Sequence, residues 1–347
     1  MPSNKTAYAN GALASAQLDQ IQALRGIAAI LVVASHVHFF GKGAFGVDIF
    51  FCISGFIMMH VTRYDTRSFL MKRIVRVVPL YWLLTVLLFG IVSVKPHLFN
   101  SAEASLVFLI KSLLFIPFDR NGYVEPLLGP GWTLNYEMFF YLLFYISFRV
   151  SHNQRMWVCT ALITWLVLMG VIYQPTGALA RFYTSPMLFE FSFGMLAYEL
   201  YQRLGQHAWG PKQRWLAGMA VVALGTWLFF ASIEGRHYYR FLIWGVPALL
   251  VFVLSVLALR DVAIWRGFKR LGDISYSLYL THIFIVLGFD RLVTSFSEFS
   301  VFALTVALAA IVACLLAAYA IWTVFEVRFG RWLSARMLPT YNNKITV

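Results

Sequence analysis

Long apolar runs alternate along this chain with short connections that are polar and mostly basic. A helix needs about 20 apolar residues to cross a bilayer. At that length the pattern predicts ten spans, at 21–40, 46–62, 77–95, 132–150, 156–173, 184–202, 213–231, 241–259, 274–294 and 300–325. The expected fold is an all-α polytopic membrane protein with about ten transmembrane helices in one bundle. Residues 104–118 are apolar but short, and Lys111 interrupts them. They read as an interfacial or re-entrant helix in a long loop, with a true span as the alternative. The expected layout is an N-terminal cytoplasmic tail at 1–20, a transmembrane domain at 21–330 and a C-terminal cytoplasmic tail at 331–347. No internal repeat, low-complexity stretch or soluble domain on either side of the spans is expected.

Composition agrees with the pattern. The chain is 60% hydrophobic and 12% charged, against about 25% charged in soluble domains. A net charge of +13 would suit a nucleic-acid partner, but its distribution favours topology and excludes that class. With ten spans, 19 of the 28 Lys and Arg residues fall on the side of the termini and 8 on the other, with Arg25 inside the first span. The positive-inside rule then places both termini in the cytoplasm. Residues 1–20 hold a single Lys5 and no apolar core, so no signal peptide is expected there. Cys52, Cys159 and Cys314 lie in apolar runs without CxxC spacing, which argues for buried thiols rather than disulfides or a metal site.

The candidate chemistry concentrates at residues 21–60, two apolar stretches joined by a turn with Gly41, Gly43 and Gly46. Arg25, His36 and Asp48 interrupt them, and ionisable groups in hydrocarbon are costly enough to be functional candidates. Arg25 and His36 are 11 positions apart, about three helical turns, so they share a face at roughly 16 Å separation. They read as two stations along one passage, Arg25 toward the cytoplasm and His36 toward the outside. Arg25 could instead be a snorkelling anchor, and His36 a packed core histidine. Asp48 is expected to return beside the outer end of the first span and orient His36, as the acid of a catalytic triad does; it also suits a helix N-cap. His38 points elsewhere and reads as an interface residue, and Ser54 in Ser54-Gly55-Phe56 as small-residue packing.

Arg73 and Arg76 share a helix face at the cytoplasmic mouth. They could bind phosphate in bidentate fashion or simply belong to the positive-inside cluster. Glu137, with Trp132 five residues before it, and His282, with Tyr279 before it, interrupt later spans and are candidate cavity residues. Glu190, Glu199 and Glu326 interrupt others. The physical reading is an anion-binding mouth inside and a histidine base nearer the outside. That suits transfer from a long phosphorylated donor to an alcohol.

The chain resembles the acyltransferase 3 family of membrane acyltransferases, particularly short members that O-acetylate exopolysaccharides. The resemblance rests on an ordered set of motifs: Leu24-Arg25-Gly26-Ile27-Ala28-Ala29, Ser35-His36, Gly46-Val47-Asp48-Ile49-Phe50-Phe51, Ile53-Ser54-Gly55-Phe56, Arg73-Ile74-Val75-Arg76-Val77-Val78-Pro79-Leu80-Tyr81, Trp132-Thr133-Leu134-Asn135-Tyr136-Glu137, and Leu271-Gly272-Asp273-Ile274-Ser275 through His282. It implies ten spans, cytoplasmic acyl-CoA (acetyl-CoA first) as donor without a metal, and a glycan hydroxyl as acceptor. It implies that Arg25 and His36 are essential and that Arg73 and Arg76 serve the donor. It further implies a bacterial inner-membrane location, with the bilayer, a polysaccharide or lipid-linked oligosaccharide, and polysaccharide-assembly proteins as partners. The family's closing Glu-x-Pro-Phe is Glu326-Val327-Arg328-Phe329 here. Longer relatives carry a C-terminal esterase-like domain; this chain is expected to complete transfer alone or pass the group to a partner.

The expected mechanism docks the donor phosphates on Arg73 and Arg76 and threads the pantetheine arm past Arg25. His36 then deprotonates the sugar hydroxyl, or itself takes the acyl group. Two rivals use the same charges: a transporter or flippase for a lipid-linked sugar, which predicts inverted repeats and broken helices, and a non-catalytic subunit of a polysaccharide synthase.

Overall fold

A computed structural model describes residues 4–37, 40–63, 66–95, 105–120, 122–205, 207–234, 236–260, 262–293 and 301–338, with the backbone alone at 4–18, 237 and 290–293. Fourteen α-helices carry most of these residues. They are α1 Asn4–His36, α2 Gly46–Thr62, α3 Phe69–Val94, α4 Leu106–Leu113, α5 Trp132–Val150, α6 Arg155–Tyr173 and α7 Ala178–Tyr183. After these come α8 Phe189–Leu204, α9 Pro211–Phe230, α10 Val246–Leu257, α11 Arg266–Asp273, α12 Ser275–Val293, α13 Val301–Ile321 and α14 Gly330–Met337. Wide π-helical turns at Phe241–Gly245 and Trp322–Phe329 lead into α10 and α14. The single sheet among the described residues is a hairpin of β1 Asp119–Arg120 and β2 Tyr123–Val124, with Asp119 opposite Val124.

Several helices coincide with the apolar runs to within a residue or two. Others differ at their starts: α3 begins at Phe69, before the run at 77–95, α8 at Phe189, inside the run at 184–202, and α1 is one uninterrupted helix, so from Asn4 the polar stretch before residue 21 is its first turns. Among the described residues, Phe69–Val94, Arg155–Tyr173 and Val301–Met337 are each long and apolar enough to cross a membrane. α11 and α12 taken as one bent span make a fourth. α4 has eight residues, about 12 Å of helix, far short of a bilayer core of about 30 Å. It packs on α3, where Tyr81 Oη donates to Ser112 O at 3.1 Å and Trp82 Nε1 to Leu113 O at 2.8 Å. The 104–118 segment is therefore no span.

The exposed faces of the long helices are as apolar as their buried ones. On α3, Tyr81, Leu84, Thr85 and Leu88 are buried while Trp82, Leu83, Val86 and Leu87 are exposed. In water that second stripe would be a liability; against lipid it is the expected surface. The chain is a helical membrane protein.

The described residues gather into two compact units. One contains Met1–His36, Phe40–His60 and Phe189–Tyr276, the other Val37–Phe39, Val61–Leu188 and Ser277–Val347. In the first unit α1 packs on α10 and α11, and α10 on α8 and α9. α2 meets α8 backbone to backbone: a Cβ on Gly55 would lie 2.1 Å from Phe191 O, and one on Gly194 1.9 Å from Cys52 O. Small residues allow such approach where no water drives helices together, which is the packing role expected of the Ser54-Gly55-Phe56 stretch. Stacked Phe51 and Phe191 rings, 4.5 Å apart, close the seam. In the second unit α3 packs on α4, α5 and α14, and α5 on α6. Phe69 is wedged edge-on against Phe148 at 5.2 Å.

Candidate active site

His36 is the last residue of α1 and is exposed. Its Nδ1 lies 2.9 Å from the Val32 carbonyl, which can only accept, so Nδ1 carries the hydrogen and Nε2 holds the lone pair of the neutral ring. Ser35 Oγ donates to the same carbonyl at 2.7 Å. One turn of its own helix thus fixes the tautomer that a base needs.

Asp48 was expected to do this orienting, and the structure places it elsewhere. After His36 the chain folds back along α1. A Cβ on Gly43 (φ +125°) would lie 2.1 Å from Leu31 O, and one on Gly46 2.5 Å from Ala28 O. α2 therefore begins beside Ala28, eight positions below His36 or about 12 Å along the axis. There Asp48 is fully buried, and both its oxygens take the Arg240 guanidinium, Nη2 to Oδ2 at 2.8 Å and Nε to Oδ1 at 3.3 Å. Arg240 Nη2 also donates to Ala44 O at 3.2 Å. The guanidinium lies over the Trp244 ring, 4.8 Å from its centroid. Arg240 was read only as a loop charge; nothing local in the sequence links it to a residue 192 positions away. His38 lies outside the described residues.

Arg25 sits 11 positions before His36 on the unbroken α1, so the two remain separate stations. Its Nη1 donates to Gln22 Oε1 at 3.1 Å. Gln22 Nε2 in turn donates to Asp273 Oδ1 at 3.0 Å, and the Arg25 charge acts on that carboxylate. The two strands of this network are pressed together: a Cβ on Gly272 would lie 2.1 Å from Gln22 O, and one on Gly26 2.6 Å from Leu271 Cβ. This joins the Leu-Arg-Gly stretch to Leu271-Gly272-Asp273. Asp273 belongs to the motif but was not read as a site residue.

In the other unit, half-buried Arg73 and exposed Arg76 lie on α3. Arg73 meets the Tyr141 hydroxyl, with Glu137 and Arg76 beside it, and Tyr141 Oη donates to Glu137 Oε1. The structure thus joins two features read separately, the basic pair and Glu137. Tyr141 was missed, although its i+4 spacing from Glu137 puts both on one face of α5.

The remaining cavity candidates meet at the start of α5. Tyr279 Oη donates to Pro130 O at 3.0 Å, and Thr133 Oγ1 lies 2.8 Å from Tyr279 Oη. His282 is fully buried, its Nδ1 2.7 Å from Tyr279 O. Trp132 stands edge-on to Tyr136 at 5.9 Å, and Tyr136 stacks on Phe182. Glu326 accepts from Ser277 Oγ, tying the π-helical turn after α13 to α12.

The family model for the acyltransferase domain (acyltransferase 3) matches residues 18–323. The exopolysaccharide production protein ExoZ of Rhizobium meliloti is 34% identical, over 72% of this chain and 78% of that protein. The acyltransferase MdmB of Streptomyces mycarofaciens is 28% identical, over 80% and 81%. The peptidoglycan O-acetyltransferase OatA of Listeria monocytogenes is 30% identical over 36% of this chain and 23% of that protein. No solved structure matches.

Proposed function

Because the chain belongs to the acyltransferase 3 family and is a membrane acyltransferase, we propose that it moves an acyl group, acetyl first, from cytoplasmic acyl-CoA to a hydroxyl of a cell-surface or exported polysaccharide. Relatives described as an exopolysaccharide production protein and a peptidoglycan O-acetyltransferase support a glycan acceptor. The protein crosses the bacterial inner membrane about ten times with both termini in the cytoplasm, and the basic loops support that orientation. Polysaccharide-assembly proteins are candidate partners.

The observation that carries the mechanism is the His36 ring, whose Nδ1 is engaged by Val32 O so that the lone pair of the neutral ring sits on Nε2. Nε2 takes the proton of the sugar hydroxyl, and the oxygen attacks the thioester carbonyl. The tetrahedral intermediate collapses with cleavage of the C–S bond. The imidazolium returns its proton to the departing thiolate, giving ester and free CoA. Arg73 and Arg76 bind the donor phosphates, with the Tyr141–Glu137 pair beside Arg73 in support. Arg25, tethered through Gln22 to Asp273, serves the pantetheine arm. Asp48 acts through the turn it holds with Arg240. Trp132, Tyr279 and His282 belong to the acceptor side.

Mass analysis of surface polysaccharide from cells carrying the gene, a deletion or His36→Ala tests this reading. The gene should add an acyl group that deletion and His36→Ala both remove. Polysaccharide of equal mass in all three strains would refute it.

A further inference from the structure

The Arg240 clamp has a neighbour that the proposed reaction does not use. Glu190, at the start of α8, is fully buried, and neither of its carboxyl oxygens has a hydrogen-bond partner. It lies against Asp48, with Arg240 near and Cys52 beside both carboxyls. The fold makes room for it on purpose-built backbone: a Cβ on Gly245 would stand 3.0 Å from Glu190 Cγ and 3.1 Å from Oε1. The glycine contact between α2 and α8 sets this register, with Asp48 and Cys52 on one helix and Glu190 on the other.

Two carboxyls therefore face one guanidinium in the buried interior. The groups around Glu190 are Asp48 and Cys52 from α2 and Arg240 from the turn before α10. An ionised Glu190 would offer acceptors only. It would leave its own oxygens without a donor and set two like charges side by side, the arrangement that paired carboxyls elsewhere relieve by sharing one proton. A single proton on Glu190 resolves both problems, because the acid then donates to Asp48.

We propose that Glu190 is a positioning residue: a neutral carboxylic acid that donates to Asp48 and forms, with Arg240, the second arm of a clamp on the turn at Ala44 that enters α2. Asp48 is then held from both sides, its charge balanced once by Arg240 and its remaining lone pairs satisfied by Glu190. The clamp fixes Ala44 and the start of α2.

Infrared spectra of the purified protein in lipid at neutral pH test the proton directly. Wild type should show the carbonyl stretch of a protonated carboxylic acid, and Glu190→Gln should lack it. Acyl transfer tests the role, and this arm alone rests on the function proposed above. Glu190→Gln keeps the shape and a donor, so its rate should fall by no more than about threefold, whereas Glu190→Ala and Arg240→Gln should fall by more than about tenfold. No Glu190-dependent band overturns the proposal. So does a Glu190→Gln variant that fails to fold or falls as far as Glu190→Ala. Were wild type inactive toward glycans, the function would fail while the band still reported on Glu190.

Discussion

A ring nitrogen becomes a base only when its partner nitrogen is settled. For His36 that partner is a carbonyl of its own helix, one turn back, so the tautomer survives changes elsewhere. Asp48→Asn should accordingly act through folding of the turn rather than through the base, lowering the amount of folded protein more than the rate per folded molecule. Fluorescence-detected size exclusion combined with transfer assays separates the two. At the basic pair, Tyr141→Phe removes the hydroxyl that donates to Glu137 beside Arg73. One lost hydrogen bond to a charged group costs about 1.5–3 kcal/mol, so the KM for acyl-CoA should rise about tenfold or more with little change in kcat. Arg73→Lys should not restore wild-type KM, since an ammonium lacks the fork that grips a phosphate. Steady-state kinetics on membranes distinguishes these outcomes.

At the scale of elements, the α2–α8 seam depends on the absence of two side chains. Gly194→Ala would drive a methyl to 1.9 Å from Cys52 O, and backbone cannot swing aside as a side-chain tip does. The helices must part, with loss of about 1–3 kcal/mol or more and disturbance of the Asp48–Glu190 register. Gly218 and Gly225 on α9 meet nothing within 4 Å. Alanine there should stabilise by about 0.4–1 kcal/mol through the unfolded chain. Thermal melting of the detergent-solubilised proteins should place Gly194→Ala below wild type and both Gly218→Ala and Gly225→Ala above it.

The elements also explain what the sequence could and could not reveal. Runs such as 46–62, 132–150 and 156–173 are mostly apolar from end to end, so their helices were legible almost to the residue. His36, Arg25, Arg73 and Glu137 stood out because charge is rare in such runs. Their partners did not. Arg240 reaches Asp48 across 192 positions, and Gln22 meets Asp273 across 251; no local period encodes such pairs. The Asp48–His36 couple was misjudged for a specific reason. The turn looked like a short link at the helix end, yet Gly43 and Gly46 let it fold back along α1 and set α2 two turns lower.

For the whole molecule, the proposed sidedness puts the basic loops and both termini inside and the turn at Lys42 outside. Cys52, Cys159 and Cys314 are all buried, so the native chain gives little background to a thiol reagent. A membrane-impermeant maleimide should label Lys42→Cys in intact cells, and Lys212→Cys only after the cells are opened. The reverse pattern would invert the topology and with it the side from which the donor enters.

The central claim is acyl transfer from acyl-CoA with His36 as the base. Its most direct test is purified protein in lipid nanodiscs, supplied with radiolabelled acetyl-CoA and an acceptor glycan, wild type beside His36→Ala. A positioned general base contributes about 10²- to 10⁴-fold, so the variant should bind acetyl-CoA as wild type does while losing transfer by that factor. A His36→Ala protein that acetylates the glycan at the wild-type rate would contradict the account.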